Sequence, residues 1–455
     1  MHSAAPTHFS GRRKITTSTG GTTPLQILQT LKSKPRRTNI CKLLALPLLL
    51  TLVLLLTKAM LTQLLVVQIP KPKVLISKTP KLQSLNSSSS PSNPRIKNLN
   101  SPYHNWELFA ADYQEMQQNF KIFVYPDAYN TSSPFAKIFV PYPKSSLFNP
   151  SSRSKIGNYY SEHAFKAALL QSSLITTRPE SAHFFYMPFS INAMRYDPRL
   201  HSEKAIGNFV GEYVRRISHE FEYWNASGGA DHFYSYCHSV GREAASRHRG
   251  LSNNAIQVTC SSSYFQRFFV AHKDVGLPQV WPRQVHDHES TNARPKLVFF
   301  AGRIQNSRIR QEVVALWSND TSMDIYPGNA PYAYEEGFKH SKYCLHLKGY
   351  EVNAARISDA IHYGCIPVLF SNYYDLPFAN VLDWSKFSII MNEADIVSLK
   401  KVLLSVPSET YESMYQNLKL VRRHFRWHET PRSYDSFYMT AYQLWLRRGL
   451  QRLPY

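Results

Sequence analysis

The first hundred residues contain no aspartate or glutamate beside 15 lysines and arginines, whereas the rest of the chain carries 38 basic and 31 acidic side chains. The formal net charge of +22 thus belongs to one end of the chain and not to a folded basic face, and no nucleic-acid partner is expected. No CxxC pair or His/Cys cluster argues for a metal, and the P-loop and GxGxxG fingerprints are absent, so a phosphate would have to be held in another way. Cysteine is scarce. Cys41 borders an apolar run, while Cys237, Cys260, Cys344 and Cys365 allow three pairings among which the sequence does not choose; buried free thiols at strand ends account equally well for Cys344 and Cys365.

The acid-free end has three parts. Residues 1–42 form a basic tail. Residues 43–67 are apolar except at a few positions such as Lys58, and are long enough to span a bilayer as a signal anchor if Lys58 snorkels, with the basic side cytoplasmic. A cleaved signal peptide with a long basic leader, or an organelle transit peptide, are the alternatives. Residues 68–100 are rich in Pro, Ser, Lys and Asn and read as a disordered stem. Glycosylation triplets at Asn86, Asn130, Asn225 and Asn319 all lie beyond the anchor.

At 43% hydrophobic and 13% aromatic, the remaining chain is globular and long enough for two domains, which we place at 101–290 and 291–430, with a packing helix at 431–455. The stretch from Tyr343 to Phe378 reads as strand, Gly-containing turn, helix, strand and acidic loop. Gly349 breaks the first run, Asn353 can cap a helix over about 354–363, Gly364 stops it, and Pro367 must lie near the start of the strand Ile366–Phe370. Arg356 lies in the first helical turn, where the peptide dipole favours an anion, and Asp359 follows at i+3; phosphate at the first and a sugar hydroxyl at the second is one reading, and an ordinary i,i+3 ion pair is the other.

Upstream, Lys296–Gly302 is a strand ending in Gly, followed by a loop with Arg303, Arg308 and Arg310 and then a helix through Val313, Leu316 and Trp317, which again suits a phosphate. In the first domain, strands at Lys121–Pro126 and His183–Phe189 alternate with helices at Tyr103–Asn119 and Tyr159–Ser172, implying a parallel sheet whose working face lies at the strands' carboxyl ends. Asp231 and His232 follow a Gly-Gly turn and are expected to be exposed at a cleft. With Glu162 they are candidates to take a proton from a hydroxyl. The bland alternative is an Asp capping the next segment and a His closing a hydrogen bond.

These segments together resemble the plant-type exostosin-like glycosyltransferases. The residues that carry the likeness are Cys344, Gly349, Arg356, Asp359-Ala360, Gly364-Cys365, Pro367-Val368 and Leu376-Pro377-Phe378, with Tyr159/Tyr160, Glu162 and Phe165, the run Trp224–Phe233, and Asn319-Asp320-Thr321. The chain departs from the pattern at His346-Leu347, where Cys-Pro is usual, at Asp359, where Glu is commoner, and at His238-Ser239, where His-Asp is common. The resemblance implies a GT-B-type α/β fold of two facing Rossmann-like domains and an inverting transfer from a UDP-sugar to a cell-wall-type polysaccharide, pectin or hemicellulose. Its setting would be the Golgi membrane, with the catalytic part lumenal and a partner subunit possible. It places Arg308 or Arg310 at the diphosphate; with the residue readings above, Gly349, Arg356 and Asp359 complete the donor site and the base lies among Asp231, Glu162 and His232. The sequence contains no Asp-x-Asp, and no metal or other cofactor is expected. The alternative is a non-catalytic relative that binds glycan or serves as a scaffold subunit in a Golgi complex.

Overall fold

A computed structural model describes residues 100–148, 156–264, 269–281, 283, 293–370 and 372–449. The tail, the expected anchor, the stem and Asn86 lie outside these residues. Contacts separate residues 1–90 from 91–455, and everything described belongs to the second unit. Among the described residues no helix is long and apolar enough to cross a membrane.

The unit is an α/β fold built on two sheets in which every strand pairing is parallel. Six strands, β1 (Ile122–Val124), β2 (Ile175–Thr176), β3 (Phe184–Tyr186), β4 (His232–Tyr236), β5 (Ile256–Thr259) and β6 (Val275–Gly276), form the first, in the order β2-β1-β3-β4-β5-β6. Five more, β7 (Lys296–Ala301), β8 (Met323–Tyr326), β9 (Ser341–Leu347), β10 (Ile366–Phe370) and β11 (Ile389–Met391), form the second, in the order β11-β10-β9-β7-β8. The central strands β3, β4, β5 and β10 are buried at every position, as expected for strands covered by helices on both faces. Pro367 is the second residue of β10, and β11 pairs with β10 only from Val368 onward, so its missing N–H costs no ladder bond on that side.

Seven longer helices matter here: α1 (Trp106–Asn119), α2 (Tyr160–Leu169), α3 (Glu203–Glu220), α4 (Arg308–Trp317), α5 (Ala355–Tyr363), α6 (Ser408–Val421) and α7 (Ser436–Trp445). Asn105 caps α1 through its side chain, and the buried face of Phe109, Tyr113 and Met116 follows the 3.6-residue period of its sequence. α7 packs on the first half of the chain. Its Tyr442 hydroxyl and Trp445 indole both donate to Asp112 of α1, at 2.8 and 2.9 Å, and Arg447 just beyond it donates to the carbonyls of Ala271, Lys273 and Asp274. Two disulfides stitch the sheets: Cys237–Cys260 joins the carboxyl ends of β4 and β5, and Cys344–Cys365 joins β9 to the residue before β10.

The carboxyl ends of β3 and β4 are braced from beneath by Glu162 on α2. Its fully buried carboxylate accepts from Ser190 Oγ at 2.5 Å, Asn192 N at 3.1 Å and Cys237 N at 3.2 Å. Lys166, one turn on and also buried, donates to the carbonyls of Ile138 and Phe139. Burial pushes the Glu162 carboxyl up and the Lys166 ammonium down, each opposed by the other's charge.

Two outcomes follow. Removing the Cys344–Cys365 bridge, which spans 21 residues, is expected to lower stability by about 3 kcal/mol, measured by denaturant unfolding of the Cys344→Ser/Cys365→Ser protein. Glu162→Ala, which strands Lys166 and three donors, should cost roughly 3–5 kcal/mol in the same measurement.

Candidate active site

In an open parallel sheet a ligand sits outside the carboxyl ends of the strands, at the point where the strand order reverses. In the second sheet that point lies between β7, whose neighbour in sequence turns one way, and β9, from which the chain runs the other way. Two arginines meet there. Arg356, in the first turn of α5, donates from Nη2 to the Ala301 carbonyl at the end of β7, at 2.9 Å. Arg310, in the first turn of α4, donates from Nε and Nη2 to the Leu347 carbonyl at the end of β9, at 3.2 and 2.9 Å. Both guanidiniums lie on the ring of Phe300, 4.9 and 5.8 Å from its centroid.

Glycine makes this convergence possible. A Cβ on Gly302 would lie 2.6 Å from Arg356 Nη2, and one on Gly349 would lie 2.9 Å from Arg310 Nη2. Among the described residues neither guanidinium has a carboxylate partner. Burial, and then the charge of Arg356, hold Arg310 down to about 10, still protonated at neutral pH. Arg356 Nε is buried without a partner, as are His346 Nδ1 and Asn353 Oδ1 in the same strand and loop. His346 donates from Nε2 to the Val352 carbonyl at 2.9 Å; burial, and then Arg356, push it down to about 3, so its Nδ1 is a bare acceptor.

Asn353 does not cap α5 as the sequence suggests. Its amide donates to Gln279 instead, and the N-cap is Ala354, with no side-chain cap. The first-turn N–H groups of α5 are left uncapped by any side chain beside Arg356, which suits an anion.

The other candidates divide. Arg308 has 91% of its side chain exposed and pairs at i,i+4 with Glu312 at 2.7 Å, so of the two arginines on α4 only Arg310 reaches the crevice. Asp359 is buried and does not pair with Arg356. Its carboxylate takes Arg283 at 2.7 Å, at the wall of a cavity of about 210 Å³ lined also by Trp281 and Trp427. Asp231 and His232 are not exposed together at a cleft. A short helix, Tyr223–Ser227, ends at Gly228 and Gly229, both with positive φ, and His232 then opens β4, placing the pair at the amino end of that strand. Four residues of extended chain, about 13 Å, separate them from its carboxyl end. His232 is 0% exposed, donates from Nδ1 to Asp231 at 2.7 Å and accepts at Nε2 from the Tyr125 hydroxyl at 2.8 Å, so neither ring nitrogen is available. Glu162 lies at the correct end of the sheet but is sealed under the loops it braces. Asn130, Asn225 and Asn319 are exposed.

The carboxyl ends of the two sheets meet. Ser263 and Tyr374 form an antiparallel bridge, Tyr264 N donates to the Tyr373 carbonyl, and Ser262 and Asp375 exchange bonds. Glu351, in the loop between β9 and α5, reaches across to accept from Ser239 N at 3.2 Å and Ser261 Oγ at 2.6 Å, after β4 and β5 respectively. Sequence reasoning passed over this residue, because its partners lie 112 and 90 positions away and no local pattern marks it.

Residues 116–406 match the exostosin GT47 domain. A probable glycosyltransferase of Arabidopsis thaliana is 32% identical over 357 residues, 76% of this chain and 65% of its own. A probable glucuronosyltransferase of Oryza sativa subsp. japonica and a probable beta-1,4-xylosyltransferase of Arabidopsis thaliana are each 26% identical, over 53% of this chain and 63% of their own. The chain thus spans just under two thirds of the length of these relatives. A described domain that matches over most of its length, on a fold of two parallel sheets, gives the assignment: the chain belongs to the exostosin GT47 family of glycosyltransferases.

Proposed function

We propose that this chain is an inverting glycosyltransferase of the GT-B type, which moves a sugar from a UDP-sugar to a cell-wall-type polysaccharide, pectin or hemicellulose, in the Golgi lumen. The donor binds the second domain and the acceptor the first. One observation carries the reading: two guanidiniums without carboxylates, Arg310 and Arg356, converge with the uncapped first turn of α5 at the reversal point of the second sheet. A partly buried cation without a counter-ion is costly unless an anion arrives, and each charged hydrogen bond to such an anion contributes roughly 1.5–3 kcal/mol. A diphosphate suits the spacing of two forks and a helix end. Bare acceptors at His346 Nδ1 and Asn353 Oδ1 suit a ligand that also carries hydroxyls.

The same groups supply the chemistry. Charge develops on the diphosphate as the glycosidic bond breaks, and donors fixed before the reaction stabilise it without reorganising. With the diphosphate met by protein groups, the reading calls for no resident metal. Access to the lumen rests on the expected anchor at 43–67, and the exposed Asn130, Asn225 and Asn319 suit that compartment.

A second reading rests on Arg283. By occupying Asp359 it takes the carboxylate that would hold a ribose, as expected of a non-catalytic relative that binds glycan or holds a partner enzyme.

The two separate on nucleotide binding. UDP should raise the thermal stability of the protein, because a ligand that binds only the folded state stabilises it. Arg356→Ala and Arg310→Ala should each weaken UDP binding about 10- to 100-fold. Arg308→Ala, which removes a solvent-exposed pair, should leave it unchanged. No UDP-dependent rise in the parent would favour the second reading.

A further inference from the structure

Transfer with inversion requires a group on the acceptor side of the cleft to take the hydroxyl proton. The residues expected to do this do not reach the cleft, and the groups that do reach it differ in how they are held. Asp127, just after β1, is committed to Arg216 on α3 at 2.7 Å. Asp375, after β10, accepts from the Tyr264 hydroxyl at 2.7 Å and lines a separate cavity with His272 and Arg447. His238, after β4, stands beside Tyr159, with ring centroids 4.9 Å apart, and Arg195 lies over the same tyrosine. Its Nδ1 accepts from Val240 N at 3.1 Å, which puts the ring proton of the neutral form on Nε2. Burial, and then Arg195, push this histidine down to about 4, so it stays neutral and can donate from Nε2 but not accept there.

Glu351 remains. Its chain position ties it to the donor half: Gly349 N donates to its carbonyl at 3.0 Å, and Gly349 is the residue packed against Arg310. Its side chain lies in the acceptor half, held at one oxygen by Ser239 N and at the other by Ser261 Oγ. Each oxygen keeps a second lone pair. Glu351 is partly exposed, whereas Glu162 is fully buried. Asp375 also reaches the first half, through Oδ1 to the Tyr264 hydroxyl, whereas Glu351 is held there at both oxygens.

We propose that Glu351 is the general base of the transfer reaction, with His238 Nε2–H orienting the acceptor beside it. This rests on the donor-site reading above. In the step, the acceptor oxygen bonds to the anomeric carbon while its proton passes to a Glu351 oxygen. The bond from that carbon to the phosphate oxygen breaks, and UDP leaves with the electron pair toward Arg310 and Arg356. Glu351 is left as the neutral acid and returns its proton to solvent.

The test uses the full-length protein, as parent, Glu351→Gln and Glu351→Asp. UDP release is followed from UDP-xylose, UDP-glucuronate and UDP-galacturonate with xylan and homogalacturonan oligosaccharides, and thermal stability with UDP is measured beside it. Glutamine retains an acceptor for Ser239 N and fills the same space, so folding and UDP affinity should stay within threefold of the parent. Turnover should fall roughly 100- to 10,000-fold, the usual contribution of a positioned base. Glu351→Asp, one methylene short, should retain a measurable fraction. Glutamine turnover within threefold of the parent overturns the proposal. So does a loss of stability and UDP affinity that accounts for the loss of turnover, which would make Glu351 a strut between the domains. A parent that binds UDP but releases none from any donor also removes the base, in favour of a non-catalytic protein. A parent that does not bind UDP overturns the donor-site reading, and the base with it.

Discussion

Two like charges held side by side are the constraint from which the rest of this site follows. Arg310 and Arg356 lie over one aromatic ring, each donates to a different strand-end carbonyl, and neither has an acidic partner among the described residues. Two like charges over one ring repel, which makes each costlier to hold without an anion. Burial first, and the charge of Arg356 second, lower the Arg310 guanidinium. The fold keeps the pair because each fork is tied to a backbone carbonyl and because Gly302 and Gly349 leave no Cβ in the way. An anion with two negative charges relieves the repulsion and adds hydrogen bonds, so the free protein is prepared for a diphosphate at a cost in its own stability.

The second feature is that the halves of the cleft are already in register. The bridge of Ser263 and Tyr374, the bonds between Ser262 and Asp375 and the reach of Glu351 fix the carboxyl ends of β4 and β5 against the loops after β9 and β10. Positioning is a large part of what a transferase must supply, since bringing two bound reactants into line removes the entropy of their meeting. Beneath, Glu162 and Lys166 hold the loops of the first sheet. The residue that looked like a proton acceptor thus works instead as part of the frame.

The elements were largely legible in the sequence, and the side-chain partners were not. Ile366–Phe370 was readable as a strand because an apolar run with turn residues on both sides leaves little choice. The two-residue strand β2 was not, since two residues carry no period. Arg308 and Arg310 stand about 200° apart on a helix, so one faces out when the other faces in, and the Arg308–Glu312 spacing was a usable sign of the exposed face. Asp231 and His232 were correctly placed after a turn, but in a parallel sheet a residue that opens a strand lies at the wrong end for chemistry. Direction along the strand could have shown this. The Arg283–Asp359 pair and the contacts of Glu351 join residues 76 to 112 positions apart and could not be read locally.

The central claim is that the Arg310–Arg356 crevice receives a diphosphate, and a crystal structure of the protein grown with UDP tests it most directly. The account predicts phosphate oxygens within hydrogen-bond distance of Arg356 Nε, of the Arg310 guanidinium and of a first-turn N–H of α5. UDP seated elsewhere, for example in the cavity walled by Arg283 and Trp427, with the two guanidiniums keeping their contacts of the free protein, would contradict it.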